Sequence, residues 1–245
     1  MKMARKKRVK GKRVLQAQKR ERKFTWSLLF LLIVAFFVLM FIISAFTDAV
    51  TNKILEVPIK GTITTADEGF LFLVQQANVP FIVSCLERAE KDSTIKAVLL
   101  DIDSPGGTVV GSSNVADAVV KVREKKPVVA YIGEVGASGA YWIASTADKI
   151  IAEPFGLTGS IGVTASYLQY GGLLSLLNVT YERLVAGELK DIATPYRELT
   201  EKERELLLKK LEVIHEEFIN VVAENRNLSA EQKEEISSGL FYLGK

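Results

Sequence analysis

The sequence predicts an α/β domain whose sheet is mainly parallel and built from repeated βα units, preceded by one transmembrane helix. Three observations predict this. Short apolar runs alternate with amphipathic segments over residues 48–245, and glycine-rich turns directly follow two of those runs. The basic residues are concentrated ahead of a long uncharged stretch near the N-terminus. Because 48% of the 245 residues are apolar, the bulk of the chain is expected to fold rather than to be disordered.

The first part of the chain predicts a tail and a membrane anchor. Residues 1–23 hold 12 Lys/Arg and one acid, whereas the 24 residues 24–47 carry no charge. As a helix, that stretch is about 36 Å long, enough to cross a hydrocarbon core of roughly 30 Å. Basic residues remain cytoplasmic, so we expect a single-pass protein of the cell membrane. Residues 1–23 would be the cytoplasmic tail, 24–47 the anchor, and 48–245 the extracytoplasmic domain.

Two other interpretations of the N-terminal part are weaker. A cleavable signal peptide has a shorter apolar region, and Thr47-Asp48-Ala49 matches a cleavage site poorly. The basic run would also suit a nucleic-acid-binding arm, but no aromatic or base-reading pattern is interleaved with it. Attraction to anionic lipid accounts for the charge, so we expect the bilayer as partner and no nucleic acid.

The elements of the outer domain follow from apolar periodicity. Short continuous apolar runs are typical of strands covered on both faces, and apolar residues at helical spacing are typical of amphipathic helices. In chain order these patterns predict strand Ile54–Ile63, helix Pro80–Lys91, strand Ala97–Ile102, helix Val109–Glu124, strand Val128–Ile132, helix Ser138–Ala147, and strands Lys149–Ala152, Ile161–Val163 and Tyr181–Val185. Repeated βα units imply a mainly parallel sheet with right-handed crossovers.

A long amphipathic helix is predicted over Thr200–Arg226. Thr200 and Glu203 have the spacing of a capping box at its start. The one histidine, His215, falls beside the apolar stripe among three glutamates, and we expect it to be a surface residue. The one cysteine, Cys85, excludes a disulfide and a cysteine-cluster metal site and is expected to pack in helix 80–91. We therefore expect no metal.

The first glycine-rich turn, Asp103–Thr108, follows the predicted strand Ala97–Ile102. Its Pro-Gly-Gly sequence permits backbone angles that leave N–H groups pointing outward, as an oxyanion hole requires. The alternative is an ordinary tight turn between strand and helix. A phosphate loop is excluded because no Gly-Lys-Ser/Thr follows.

The second glycine-rich turn places Ser138 between Gly136 and Gly139, at the start of a predicted helix. Small neighbours would let a substrate carbonyl approach the hydroxyl, which makes Ser138 a candidate nucleophile. The alternative is a serine that caps the helix. The pattern is not the Gly-x-Ser-x-Gly elbow of hydrolases, because position 140 is alanine.

A serine nucleophile needs a base, and with His215 set aside the remaining class is a lysine. A free lysine has a pKa near 10.4, which desolvation must lower by several units before it can accept a proton near neutral pH. Lys190 stands out because it lies in the glycine-containing segment Ala186–Asp191, away from the solvated helix. The alternative is a surface lysine beside Asp191.

Four ordered segments resemble the signal peptide peptidase A family of membrane-anchored serine proteases, within peptidase family S49. They are SPGG at Ser104–Gly107, GASGAYWIA at Gly136–Ala144, LTGSIGV at Leu157–Val163, and GELKD…PYR at Gly187–Arg197. The resemblance implies the ClpP/crotonase-like fold. Relatives continue past Lys245 with a further helix and strand, so it also implies a C-terminally shortened domain.

The resemblance also implies the roles of individual residues. Ser138 matches the family nucleophile, and Lys190 matches the general base of its Ser/Lys dyad. Ser160 resembles the hydroxyl that orients that lysine. The backbone N–H groups of Gly107 and Gly139 resemble the oxyanion hole. The implied reaction is hydrolysis of peptide bonds without a cofactor.

The resemblance further implies substrates and assembly. The family degrades remnant signal peptides in the membrane, so apolar peptides are the expected substrates. Members of this half-length type form dome-shaped homo-oligomers in which neighbours share part of the dyad and groove. Two alternatives remain open: a related Ser/Lys protease specific for a stomatin-like partner, and a catalytically silent assembly module on the same fold.

Overall fold

The computed structural model describes residues 26, 29–44, 52–65 and 76–245, and the chain divides into two units, Met1–Asn52 and Lys53–Lys245. In the first unit, residues 29–44 are helical (α1) and their side chains are exposed. Among the described residues, no helix is long and apolar enough to span a bilayer. The predicted tail 1–23 lies outside the described residues, as do parts of the predicted anchor 24–47, so both stay predictions.

The second unit alternates strands and helices, as the apolar pattern predicts. Its elements are β1 (Lys53–Lys60), β2 (Thr62–Thr64), β3 (Gln76–Asn78), α2 (Val79–Lys91), β4 (Ile95–Ser104), α3 (Val109–Arg123), β5 (Val128–Ala137), α4 (Gly139–Ser145), β6 (Lys149–Ala152), β7 (Leu157–Gly159), α5 (Gly171–Leu176), α6 (Glu201–Arg226), α7 (Ala230–Ile236) and β8 (Phe241–Leu243).

The main sheet of this unit has six strands, and its central strand is β5. β5 pairs in parallel with β4 on one side; on the other, its first half pairs with β6 and its last three residues with β7. β1 continues the parallel sheet beyond β4, and β8 closes the other end antiparallel to β7. The predicted α/β class with a mainly parallel sheet is confirmed. This arrangement brings the C-terminal ends of β4, β5 and β7 together.

The core explains which runs became strands. β4 and β5 have alternating buried side chains over 10 residues each, because helices and sheet neighbours cover them. Trp142 of α4 stacks on Phe218 of α6, with ring centroids 4.6 Å apart, so α6 packs over the helix that follows β5. In α2, Ile82 and Leu86 are buried on one face, whereas Phe81 is 58% exposed.

Three predicted strands differ from the structure. Ile54–Ile63 is divided at Gly61, which has φ +76°, so that β1 and β2 belong to different sheets. Ile161–Val163 is not a strand; the strand is β7, four residues earlier, because the chain leaves the sheet at Ser160 with φ 52°. Tyr181–Val185 is irregular and exposed, since no strand lies beside it to complete a ladder.

The start of α6 confirms the predicted capping box and adds an ion pair to it. Thr200 N donates to Glu203 Oε2 at 2.9 Å. Arg197 donates to both carboxylate oxygens of Glu203, from Nη2 to Oε1 at 2.7 Å and from Nη1 to Oε2 at 2.8 Å. The Glu203 side chain is only 4% exposed. The guanidinium of Arg197 and the Thr200 N–H lower the pKa of Glu203 from 4.5 to about 2.

We predict that Glu203→Gln lowers the free energy of unfolding at neutral pH and that this loss disappears in acid. A carboxylate whose pKa is lowered by folding stabilises the native state above its unfolded pKa. That stabilisation is lost as pH falls from 4.5 toward about 2. Urea unfolding of both proteins across this range measures it. Glu201→Gln is the control, because Glu201 is in the same turn but 80% exposed; a constant Glu203→Gln difference down to low pH would contradict the prediction.

Candidate active site

The site begins at a strained turn between β5 and α4. Ser138 has φ 53° and ψ −128°, a backbone conformation that residues other than glycine rarely adopt. Two hydrogen bonds hold it there: Ser138 N donates to Gly159 O of β7 at 2.8 Å, and Trp142 N donates to Ser138 O at 3.0 Å. Strain held by surrounding structure at a strand-to-helix turn is typical of a nucleophile elbow.

The hydroxyl of Ser138 separates the two interpretations of this residue. Ser138 occupies the N-cap position of α4, but its side chain makes no capping hydrogen bond. Ser138 is therefore the N-cap residue by position, but the side-chain cap of that interpretation is not formed. Within the described part of the chain, the Ser138 hydroxyl has no hydrogen-bond partner, which leaves it available to a substrate.

The two predicted oxyanion donors lie beside Ser138. Ile63 N donates to Gly106 O and Thr108 N donates to Ile63 O, both at 2.9 Å. Gly107 lies between these two bonded residues and forms a parallel β-bridge with Ile63. In such a bridge the residue in the middle directs its own N–H away from the paired strand, so the Gly107 N–H points away from Ile63. Gly139 is the first residue of α4, so its N–H has no acceptor within the helix.

Close packing explains why both donors are glycines. A methyl group added to the Cα of Gly107 would lie 2.0 Å from Ile63 O. One added to Gly139 would lie 2.1 Å from Ser112 Oγ and 3.4 Å from Gly107 N. The two amide groups can approach each other and Ser138 because no side chain separates them.

A cavity of about 100 Å³ opens next to these groups. The stacked rings of Trp142 and Phe218 form part of its lining. Ser138, Gly107 and Gly139 all line it, so the structure brings three of the predicted site residues to one place. The remaining lining residues are Val109, Ser112, Gly162, Val163 and Thr164.

The other two predicted residues do not line this cavity. Ser160 is half-buried, has φ 52° and donates its N–H to Leu240 O at 2.8 Å. Lys190 is exposed, and its side chain forms no hydrogen bond or ion pair with any described residue. A Ser138–Lys190 contact is therefore not formed within the described part of one copy, and the dyad stays a prediction.

A family model described as peptidase family S49 matches residues 120–245, slightly more than half of the chain. The chain belongs to peptidase family S49. The match contains the Ser138 turn, the Ser160 segment and Lys190, and the predicted resemblance is confirmed at the level of the family.

Individual S49 relatives agree with the match. A candidate protease of Methanocaldococcus jannaschii is 38% identical over 175 residues, covering 71% of this chain and 56% of that protein. A candidate signal peptide peptidase of Enterococcus faecium is 34% identical, covering 80% of this chain and 57% of that protein. Protease 4 of Haemophilus influenzae is 30% identical, and the match covers 80% of this chain and 31% of that protein. The chain thus spans about half the length of the first two relatives, and less of the third.

Sequence reasoning missed several residues of this S49 site. Ser112, Trp142 and Phe218 line the cavity, yet the sequence predicted no more than that each lies within a helix. His215 was expected at the surface but is half-buried, and its Nε2 donates to Ile161 O at 3.1 Å, which ties α6 to the segment beside the cavity. Helical periodicity identifies a buried face but not the loop that the face meets, so these contacts had no signal in the sequence.

We predict that Ser138→Gly is more stable than Ser138→Ala by about 1 kcal/mol, because only glycine relieves the strain of a positive φ. The difference in free energy of unfolding, from urea titration of both variants in this S49 protein, measures it. Ala140→Gly, two residues further in α4, is the control and should be destabilising, since its site has ordinary helical backbone. Equal stability of the two Ser138 variants would show that the turn is not strained.

Proposed function

We propose that this protein is a serine endopeptidase in which Ser138 attacks the substrate carbonyl. The observation that carries the proposal is the strained, uncapped Ser138 beside the N–H groups of Gly107 and Gly139 at one cavity. Membership of peptidase family S49 supports the reaction class. A protein that used this fold for assembly alone would have no need to hold a serine in a costly conformation.

The proposed reaction is acyl transfer with Lys190 as general base. Lys190 takes the hydroxyl proton of Ser138 while Ser138 Oγ bonds to the carbonyl carbon. The N–H groups of Gly107 and Gly139 stabilise the negative oxygen. The C–N bond then breaks as Lys190 returns the proton to the leaving amine. Water, activated in the same way, hydrolyses the acyl-enzyme.

The base is proposed to come from a neighbouring copy of the chain. Lys190 lies in an exposed stretch, residues 164–200, that also carries large apolar side chains, with Leu176 and Leu184 at 85% and 84% exposure. Large exposed apolar patches mark contact surfaces. Covering this stretch would also desolvate the Lys190 amine, which a lysine base requires near neutral pH. Ser160 is the proposed hydroxyl that orients that amine.

The proposed substrates are apolar peptides, and signal-peptide remnants are the proposed natural class. The cavity beside Ser138 includes four apolar side chains in its lining and, at about 100 Å³, accommodates a small apolar side chain next to the scissile bond. The relative from Enterococcus faecium carries a signal peptide peptidase name. An anchor at residues 24–47 would hold the domain close to such substrates and raise their local concentration.

We predict that Ser138→Ala and Lys190→Ala each abolish hydrolysis of a quenched fluorescent apolar peptide while circular dichroism stays unchanged. The reason is that each removes one half of the proton transfer to the nucleophile. For the wild-type chain, the rate should fall on acidification, as the base becomes protonated. Lys209→Ala, which removes an exposed lysine on α6, is the control and should retain the rate. If either Ser138→Ala or Lys190→Ala hydrolysed the peptide at the wild-type rate, the proposed dyad would be ruled out.

We predict that mixing the two inactive variants restores hydrolysis to about a quarter of the wild-type rate, because a shared site then pairs an intact serine with a neighbour's intact lysine in one case in four. The mixture should be dissociated and reassembled before assay, with each variant alone as control. No recovery from a fully reassembled mixture would place both groups in the same copy.

A further inference from the structure

The acidic residues nearest to Lys190 in sequence are both occupied by other cations. Asp191 follows Lys190 directly, and Glu188 precedes it by two residues. Lys202 binds Glu188 at 3.0 Å. Arg183 binds Asp191 at two points, with Nε to Oδ2 at 2.8 Å and Nη2 to Oδ1 at 2.6 Å.

A second arginine completes the pairing of Asp191. Arg197 Nη2 donates to Asp191 Oδ1 at 3.2 Å and to Glu203 Oε1 at 2.7 Å. We call Arg183, Asp191, Arg197 and Glu203 the Asp191 network. It joins the Lys190 segment to the capping box of α6, and its two guanidiniums balance its two carboxylates.

The Asp191 network engages the carboxylate that directly follows Lys190 in the chain. The Asp191 side chain is 13% exposed, and both its oxygens accept from guanidinium groups. Hydrogen bonds from Arg183, followed by those from Arg197, hold the pKa of Asp191 well below its usual range, so it remains a carboxylate. Asp191 is adjacent to Lys190 in sequence, so without the arginines its carboxylate would be free to pair with the Lys190 amine.

We propose that Arg183 and Asp191 are positioning residues, in which Arg183 holds the Asp191 carboxylate away from Lys190 and so keeps the amine unpaired for its work as a base. The inference rests on the proposed function. A carboxylate within about 4–6 Å favours the protonated form of an amine, and a protonated lysine cannot accept the proton of Ser138. The network therefore acts on the protonation of the base as well as on the position of its segment.

A purely structural role would predict different behaviour. Ion pairs near the surface contribute little to stability, and one arginine would suffice to neutralise Asp191. Pairing one carboxylate with two guanidiniums, one of them as a two-point fork, fixes where that carboxylate points. Orientation is the property that matters when a lysine base lies one residue away.

The test is the pH profile of kcat/KM for the quenched apolar peptide, using the full chain in its assembled form. Arg183→Gln frees the Asp191 carboxylate and should move the acid limb upward by about one pH unit, a loss of about tenfold on that limb. Adding Asp191→Asn to Arg183→Gln should return the limb to its wild-type position. If Arg183→Gln acted only by disturbing the structure, a second substitution in the same network would not restore the wild-type acid limb.

Two further variants keep the result interpretable. Lys125→Gln breaks the ion pair with Glu90, remote in sequence from the network, and should leave the profile unmoved. Arg183→Lys keeps the positive charge but loses the fork, and should give a smaller shift than Arg183→Gln; it serves if the glutamine variant does not fold by circular dichroism.

The outcomes separate this inference from the proposed function. Wild-type hydrolysis by Lys190→Ala would overturn the dyad itself, whatever the network does. An inactive Lys190→Ala together with an unmoved acid limb in Arg183→Gln would overturn the inference alone. A shifted limb that the Asp191→Asn double variant fails to restore would also overturn it.

Discussion

The strained backbone at Ser138 is the constraint on which the rest of the structure depends. A residue with φ 53° and ψ −128° stays there only if the chain on both sides is fixed. β5 fixes one side by pairing up to Ala137, and β7 fixes the residue itself through Gly159 O. α4 fixes the other side, and the stacking of Trp142 on Phe218 ties α4 to α6. The sheet and its helices thus act together to expose one hydroxyl.

The structure treats polar groups at the site and elsewhere in opposite ways. Around α6, charged groups are paired, with Arg197 between Asp191 and Glu203. At the cavity, the Ser138 hydroxyl and the N–H groups of Gly107 and Gly139 have no hydrogen-bond partner among the described residues. Unmade hydrogen bonds cost stability, so leaving several at one place is consistent with a site built for a reacting group. The same contrast applies to Lys190, whose acidic neighbours are engaged elsewhere.

The sequence was a good guide wherever one chain segment carries the whole signal. The strand Lys149–Ala152 and the capping box at Thr200 appear as predicted, because local periodicity and spacing determine them. The nucleophile and oxyanion positions came from short motifs in glycine-rich turns and from family resemblance. Predictions failed where the structure of a segment depends on residues far away in sequence. The segment Tyr181–Val185 is not a strand because no strand lies beside it. His215 is half-buried because its Nε2 donates to Ile161 O, 54 residues away in sequence. Periodicity says that a face is buried but not what buries it.

On the proposed function, the site divides into a part that one chain completes and a part that a neighbouring copy supplies. Ser138, the N–H groups of Gly107 and Gly139, and the cavity lie where β5 meets α4 and at the turn after β4, all beside the same core. Lys190 instead lies on the exposed stretch between β7 and α6, whose apolar side chains have little of that core to pack on. Covering that stretch would satisfy two needs at once, since it would bury leucines such as Leu176 and desolvate the amine. If the proposed function holds, assembly and activity depend on the same surface. An isolated copy would then have the Ser138 nucleophile in place but no general base to activate it.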